Sequence, residues 1–196
     1  MEWLAGVKNA HLLLNDHPSE VEELFDAIHR VLLETTKIMV EHSLADLFYL
    51  SENTSTTLIS PAQYRKYCFH HLTEYANICF EADRHLVLHM CGRLKAILPD
   101  LAQLKAKAFE AYTSSPVGNT SFYDGRSECK DICFIGGTNA ALWTDSADEI
   151  IGEIERDLNA LDHHRGIVVT SAGVMPPVAT PETIREVCQW VRAYPI

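Results

Sequence analysis

The side chains in this chain best suited to chemistry are an imidazole and a thiol, two residues apart at the end of an apolar run. The run is Leu86-Val87-Leu88-His89-Met90-Cys91-Gly92. Its first three residues predict a short buried strand, which Gly92 stops. Alternation along a strand turns His89 and Cys91 to the same side. They then sit where a buried strand opens into a loop, the end of an α/β sheet that carries function. An imidazole and a thiolate suit zinc or another soft or borderline metal, whose catalytic sites take three protein ligands and keep one position open. The same two residues also read as a hydrogen-bonded histidine beside a small buried cysteine. A third ligand elsewhere in the chain would separate these readings.

The 196 residues suffice for a real core and predict one domain over 1–196. Sixteen basic residues against 27 acidic ones give a net charge of -11, which argues against nucleic acid or an anionic membrane as partner. No apolar run approaches a membrane span, and the first residues lack a leader pattern. The six cysteines are scattered and form no framework. Reduced thiols in a cytoplasmic protein are therefore expected.

The elements that must position the pair are legible in sequence. Residues 1–18 carry little pattern. Ser19-x-x-Glu22 reads as a capping box opening a helix to about His42, with Val21, Leu24, Phe25, Ile28 and Leu32 on one stripe. Ala45 to Leu50 reads as a strand. Ser60-Pro61-Ala62-Gln63 opens a second helix, whose stripe runs from Tyr64 to Cys79 and takes Cys68, His71 and Cys79 as packing residues. After the His89/Cys91 strand, Arg93 to about Lys105 predicts a helix and Ala108–Tyr112 a strand. A turn-rich loop over 113–120, a short helix over 122–128 and a strand over 132–135 follow. Ser146-x-x-Glu149 then opens a helix, Gly166–Thr170 reads as a strand, and Thr180-Pro181 opens the last helix. Five short apolar strands alternating with amphipathic helices imply a parallel sheet covered by helices. A closed barrel needs eight strands, so the expectation is an open sheet or the later part of a (β/α)8 barrel.

Four motifs carry a resemblance. His89-Met90-Cys91-Gly92, Gly136-Gly137-Thr138 after an apolar strand, and Leu58-Ile59-Ser60-Pro61 with Tyr64 are three. The fourth is Ser171-Ala172-Gly173-Val174-Met175-Pro176-Pro177 with Thr180-Pro181-Glu182. In order and spacing they resemble the uroporphyrinogen decarboxylase superfamily, which includes the decarboxylase of haem synthesis and zinc-dependent methyltransferases acting on methylated corrinoid proteins. The resemblance covers nearly the whole chain. It implies an incomplete (β/α)8 TIM-barrel type of α/β fold, with about five βα units present and the N-terminal strands absent. In the decarboxylase the arginine-rich loop and the catalytic aspartate belong to that earlier part. The His-x-Cys pair is instead similar to the methyltransferase branch, where a cysteine after the last strand completes the zinc site. That position falls at Val174, which has no donor.

The implied roles follow. His89 and Cys91 would be zinc ligands, with Glu110 or Glu52 as the third and Glu110 placed, by parity with Tyr112, at the barrel mouth. Arg93 would meet an anionic substrate group. Glu52, Asn53, Asn119, Gly137 and Thr138 would line the substrate pocket. Cys129, Cys133, Cys188, His163 and His164 lie at the wrong end or on a helix stripe. The leading expectation is methyl transfer to a thiol from a corrinoid or similar donor. Decarboxylation of a tetrapyrrole carboxylate is the second; it needs basic rim groups, for which Arg93 and Arg126 are the candidates. The third is a non-catalytic or split barrel half, homo-oligomeric or completed by a partner chain through its open sheet edges.

Overall fold

The computed structural model describes residues 2–195. It opens with three helices, α1 (Glu2–Ala5), α2 (Val7–Asp16) and α3 (Pro18–His42), which lead into β1 (Leu47–Ser51). Next come α4 (Pro61–Tyr64), a π-helical turn over Arg65–Phe69, α5 (His70–Glu81) and β2 (His85–His89). A 3-10 turn at Lys95–Ile97 and α6 (Leu98–Leu101) precede β3 (Ala108–Tyr112) and α7 (Phe122–Glu128). The chain ends with β4 (Cys133–Gly137), α8 (Ala147–Asn159), β5 (Ile167–Thr170) and α9 (Pro181–Ala193).

All five strands are parallel and pair in chain order, β1-β2-β3-β4-β5. Sequential parallel pairing through right-handed crossovers puts the helices on one face of the sheet. Phe48, Leu88, Phe109 and Phe134 point to that face and join Leu72, Phe122 and Ile150 in one buried cluster. The alternate positions Leu47, Tyr49, His89, Glu110 and Val168 point to the other face. There Leu47 is 50%, Tyr49 53% and Val168 49% exposed. This is the α/β arrangement of an incomplete (β/α)8 barrel, five strands wide, with the barrel's interior surface open.

Three local expectations are corrected. Residues 7–16 form a full helix although they bury no side chain, so tertiary packing supplied no legible stripe. The first long helix begins at Pro18, not at a Ser19 capping box. Its N-cap is His17, which makes no side-chain cap bond, and proline at the first helical position sets the entry. The single helix expected after Gly92 is broken into a 3-10 turn and the single turn of α6. Pro99 lacks an N–H and is tolerated only at the start of a helix. The boxes at Ser60 and Ser146 and the cap at Thr180 form as their spacing predicts.

Candidate active site at the C-terminal rim of the sheet

His89 is the last residue of β2, and its register places it between Ser51 of β1 and Glu110 of β3. Its Nδ1 lies 2.5 Å from Oε2 of Glu110. The same carboxylate oxygen accepts the Tyr49 hydroxyl at 2.7 Å. Three adjacent strands therefore contribute one side chain each to a shared hydrogen-bond centre on the open face. Burial, the hydrogen bond to Glu110, the charge on Glu110 and nearby Cys91 together push the Tyr49 phenol up to about 12. Tyr49 therefore stays a donor at neutral pH.

The carboxylate faces His89 through the regular β2–β3 register, and a β-bulge follows it immediately. Glu110 pairs with Ile135, but Tyr112 pairs with Gly136, so Ala111 is the inserted residue, at φ 55°. The shared parity expected for Glu110 and Tyr112 is thereby broken. Glu110 stays on the open face, while Tyr112 turns into the helix layer between Phe122 and Phe134.

Cys91 lies two residues beyond the end of β2, in the loop. Its Sγ reaches Oδ1 of Asn53 at 3.4 Å, which joins the β2 loop to the one after β1. Further bonds stitch these loops: Glu52 N–H to His89 O at 3.0 Å, Arg93 N–H to Ser55 Oγ at 3.1 Å, and Thr56 N–H to Arg93 O at 2.9 Å. The approach is close enough that a Cβ on Gly92, at φ 113°, would fall 2.7 Å from the Ser55 side chain. Glycine is what lets Cys91 and Asn53 meet. Arg93 is exposed beyond them.

Other expected site residues are placed elsewhere. Glu52 follows β1 but turns behind it, bonding the Thr54 hydroxyl and lining a cavity of about 330 Å³ under α2 with His11, Leu14, Phe25 and Cys68. Burial holds its carboxyl above the usual carboxylate range, against the lowering effect of Thr54. Asn119 and Gly137 line a separate cavity of about 460 Å³ whose walls include neither His89 nor Cys91. Asn119 also accepts the Lys95 N–H at 3.2 Å. Thr138 is fully buried. Its hydroxyl donates to Thr170 O at 2.6 Å and accepts from Trp143 Nε1 at 3.0 Å, so it is a tie between β4 and β5 and not a wall of either cavity. Arg126 is not at this rim; it lies at the opposite end of the sheet among the starts of β4 and β5. Tyr49 was not singled out from sequence, although its alternation with Leu47 and Ser51 put it on the open face.

In kind, these donors suit a soft or borderline divalent metal. Metal-bound histidine characteristically gives its second nitrogen to a carboxylate, and His89 pairs Nδ1 with Glu110 in the same way, which leaves Nε2 open. In number they fall one short. Val174 is 89% exposed and carries no donor. Among the described residues no group of three His, Cys, Asp or Glu side chains is arranged to hold a metal ion.

The family model described as uroporphyrinogen decarboxylase (URO-D) matches residues 4–194. No curated protein matches the chain in sequence. Among solved structures, a methyltransferase from Methanosarcina mazei superposes with a TM-score of 0.72 at 20% identity, covering 96% of this chain and 53% of its own. The present chain thus spans about half the length of that structure.

Proposed function

The chain belongs to the uroporphyrinogen decarboxylase family, and from that premise we propose that it is a methyltransferase-like member acting on a thiol at the His89/Cys91 pair. The observation that carries this reading is the Glu110 carboxylate on Nδ1 of His89, with Cys91 on the same rim. The acceptor is a thiol substrate and the methyl donor a corrinoid or similar group. His89 and Cys91 would hold zinc, which would supply Lewis acidity toward a thiol. The remaining ligand positions are left to the substrate and to a donor from outside this chain.

The chain's own residues prepare the site. Glu110 fixes the tautomer and ring plane of His89. Tyr49 donates to the same oxygen and keeps that carboxylate oriented. Asn53 positions the Cys91 sulfur. Arg93, exposed just past the pair, meets an anionic group on substrate or donor. The half-buried Glu52, whose carboxyl is raised by burial, lines the cavity under α2 beside Asn53 and meets a polar group entering it. Decarboxylation of a tetrapyrrole carboxylate is the weaker reading, because it needs several cations at this rim and Arg126 is at the other.

Leu47, Tyr49 and Val168 are about half exposed on a surface that a (β/α)8 barrel closes, and among the described residues β1 and β5 each pair with a strand on one side only. We propose that activity requires this face to be covered by a second copy or by a chain carrying the remaining strands.

Elemental analysis of tag-free protein, native against Cys91→Ser, tests the metal reading. Near-stoichiometric zinc that disappears in the variant supports it. Absence of metal from both, after growth and purification with added zinc, rejects it.

A further inference from the structure

At the end of the sheet opposite His89, a cavity of about 400 Å³ opens between the starts of β3, β4 and β5. Lys107, Arg126, Lys130, His163 and Arg165 line it, with Asp131 as the only carboxylate. Four of the chain's sixteen Lys and Arg residues thus converge on one opening in a protein of net charge -11. Seven other Lys and Arg side chains form ion pairs with carboxylates. Among the described residues, none of these four does.

Arg126 anchors the cluster through uncharged partners. Its Nη1 donates to the carbonyls of Lys130 at 2.5 Å and Ile132 at 3.1 Å, and its Nη2 to that of Arg165 at 2.8 Å. The guanidinium lies 5.4 Å from the Phe134 ring centroid, and its buried Nε has no hydrogen-bond partner among the described residues. Carbonyl oxygens and a ring face hold the side chain in place without cancelling its charge. They also tie together the loops that carry Lys130 and Arg165, so those flexible cations project from a fixed frame. Lys107, Lys130, His163 and Arg165 are themselves exposed at the mouth.

We infer that this cavity binds a small, multiply charged oxyanion, a phosphorylated or polycarboxylate metabolite. A fixed guanidinium below and mobile ammonium and guanidinium groups above fit several anionic oxygens at once. The overall negative charge repels anions at long range, so attraction here is local and screened by salt. The site is independent of the His89 chemistry, from which it is separated by the length of the strands.

The test is calorimetric titration of the full chain with pyrophosphate and, separately, with citrate. We expect saturable binding of at least one probe, weakened about tenfold or more in Lys107→Ala/Arg165→Ala and by raised salt. Arg30→Ala, on the exposed side of α3, serves as the charge control and should bind like the native chain. Preference for pyrophosphate identifies the ligand as phosphorylated, and preference for citrate as a polycarboxylate. The inference is overturned by absence of saturable binding of both probes, by undiminished binding in a folded double variant, or by an equal loss in Arg30→Ala. Both substitutions change exposed side chains and leave the backbone carbonyl that anchors Arg126, and circular dichroism checks that the variants fold.

Discussion

Oε2 of Glu110 stands 2.5 Å from Nδ1 of His89, across adjacent strands in register, and this pair defines the orientation of the His89 imidazole at the C-terminal rim. A carboxylate in that position engages Nδ1 and leaves only Nε2 of His89 open to a ligand. Under the metal reading, Glu110→Gln leaves shape intact but removes the charge, and outer-shell changes of this kind cost about 10- to 100-fold in metal affinity. Zinc competition against a chromophoric chelator measures it. Unchanged affinity would reduce Glu110 to a packing role.

Gly137 is held at φ 86°, and a Cβ there would fall 2.3 Å from the Phe122 ring. Gly137→Ala therefore carries both backbone strain and overpacking and is expected to lose about 1–3 kcal/mol or more in urea denaturation. Gly152, inside α8, meets nothing within 4 Å. Gly152→Ala should instead gain about 0.5–1 kcal/mol from helix propensity. Equal effects at the two positions would contradict the packing described for β4.

The open interior face predicts association. Sedimentation of the native chain should give a mass above the 22.0 kDa of one copy. Leu47→Glu/Val168→Glu, which charges two half-exposed positions on that face, should return it to monomer. A native monomer unaffected by the change would mean that another chain, not a second copy, covers the face.

His71 stacks on His29 with ring centroids 3.8 Å apart and lies 3.9 Å from His70, where α3 packs on α5. Burial, then the positive charges of His70 and His29, lower its pKa to about 4, against the opposing pull of Glu74 and Asp26. The unfolded chain, with an ordinary histidine near 6.5, binds more protons between those values. Stability should therefore fall as pH drops from about 6.5 toward 4. His71→Phe should flatten that slope in denaturant melts compared at pH 7 and pH 5.

Glu52 has the opposite sign. Its carboxyl is raised by burial, so its favourable contribution is present in acid and lost as pH climbs through the raised value. Glu52→Gln should raise the melting temperature at pH 7 and change it little at pH 4. A loss at both pH values would show that the carboxylate makes bonds the glutamine cannot replace.

Local signals carried much of this molecule into view. Short apolar runs alternating with capped helices were enough to read a parallel sheet in chain order, because capping boxes and strand breakers act over three or four residues. Ser60, Ser146 and Thr180 show this directly, and Gly92 marked the rim where His89 and Cys91 lie. Contacts made across sequence could not be read that way. The bond from Tyr49 to Glu110 spans 61 residues and that from His89 to Glu110 spans 21. Both depend on the β1–β2–β3 register, which a one-residue slip would undo, while the bulge at Ala111 decides the side Tyr112 takes. The same dependence turned Glu52 behind β1 and sent Thr138 into the packing. It also carried Arg126 to the far end of the sheet. Residue type and spacing determined which groups are present and on which element. Tertiary pairing alone decided which of them meet, because side-chain direction on a strand is fixed only once its neighbours are in register.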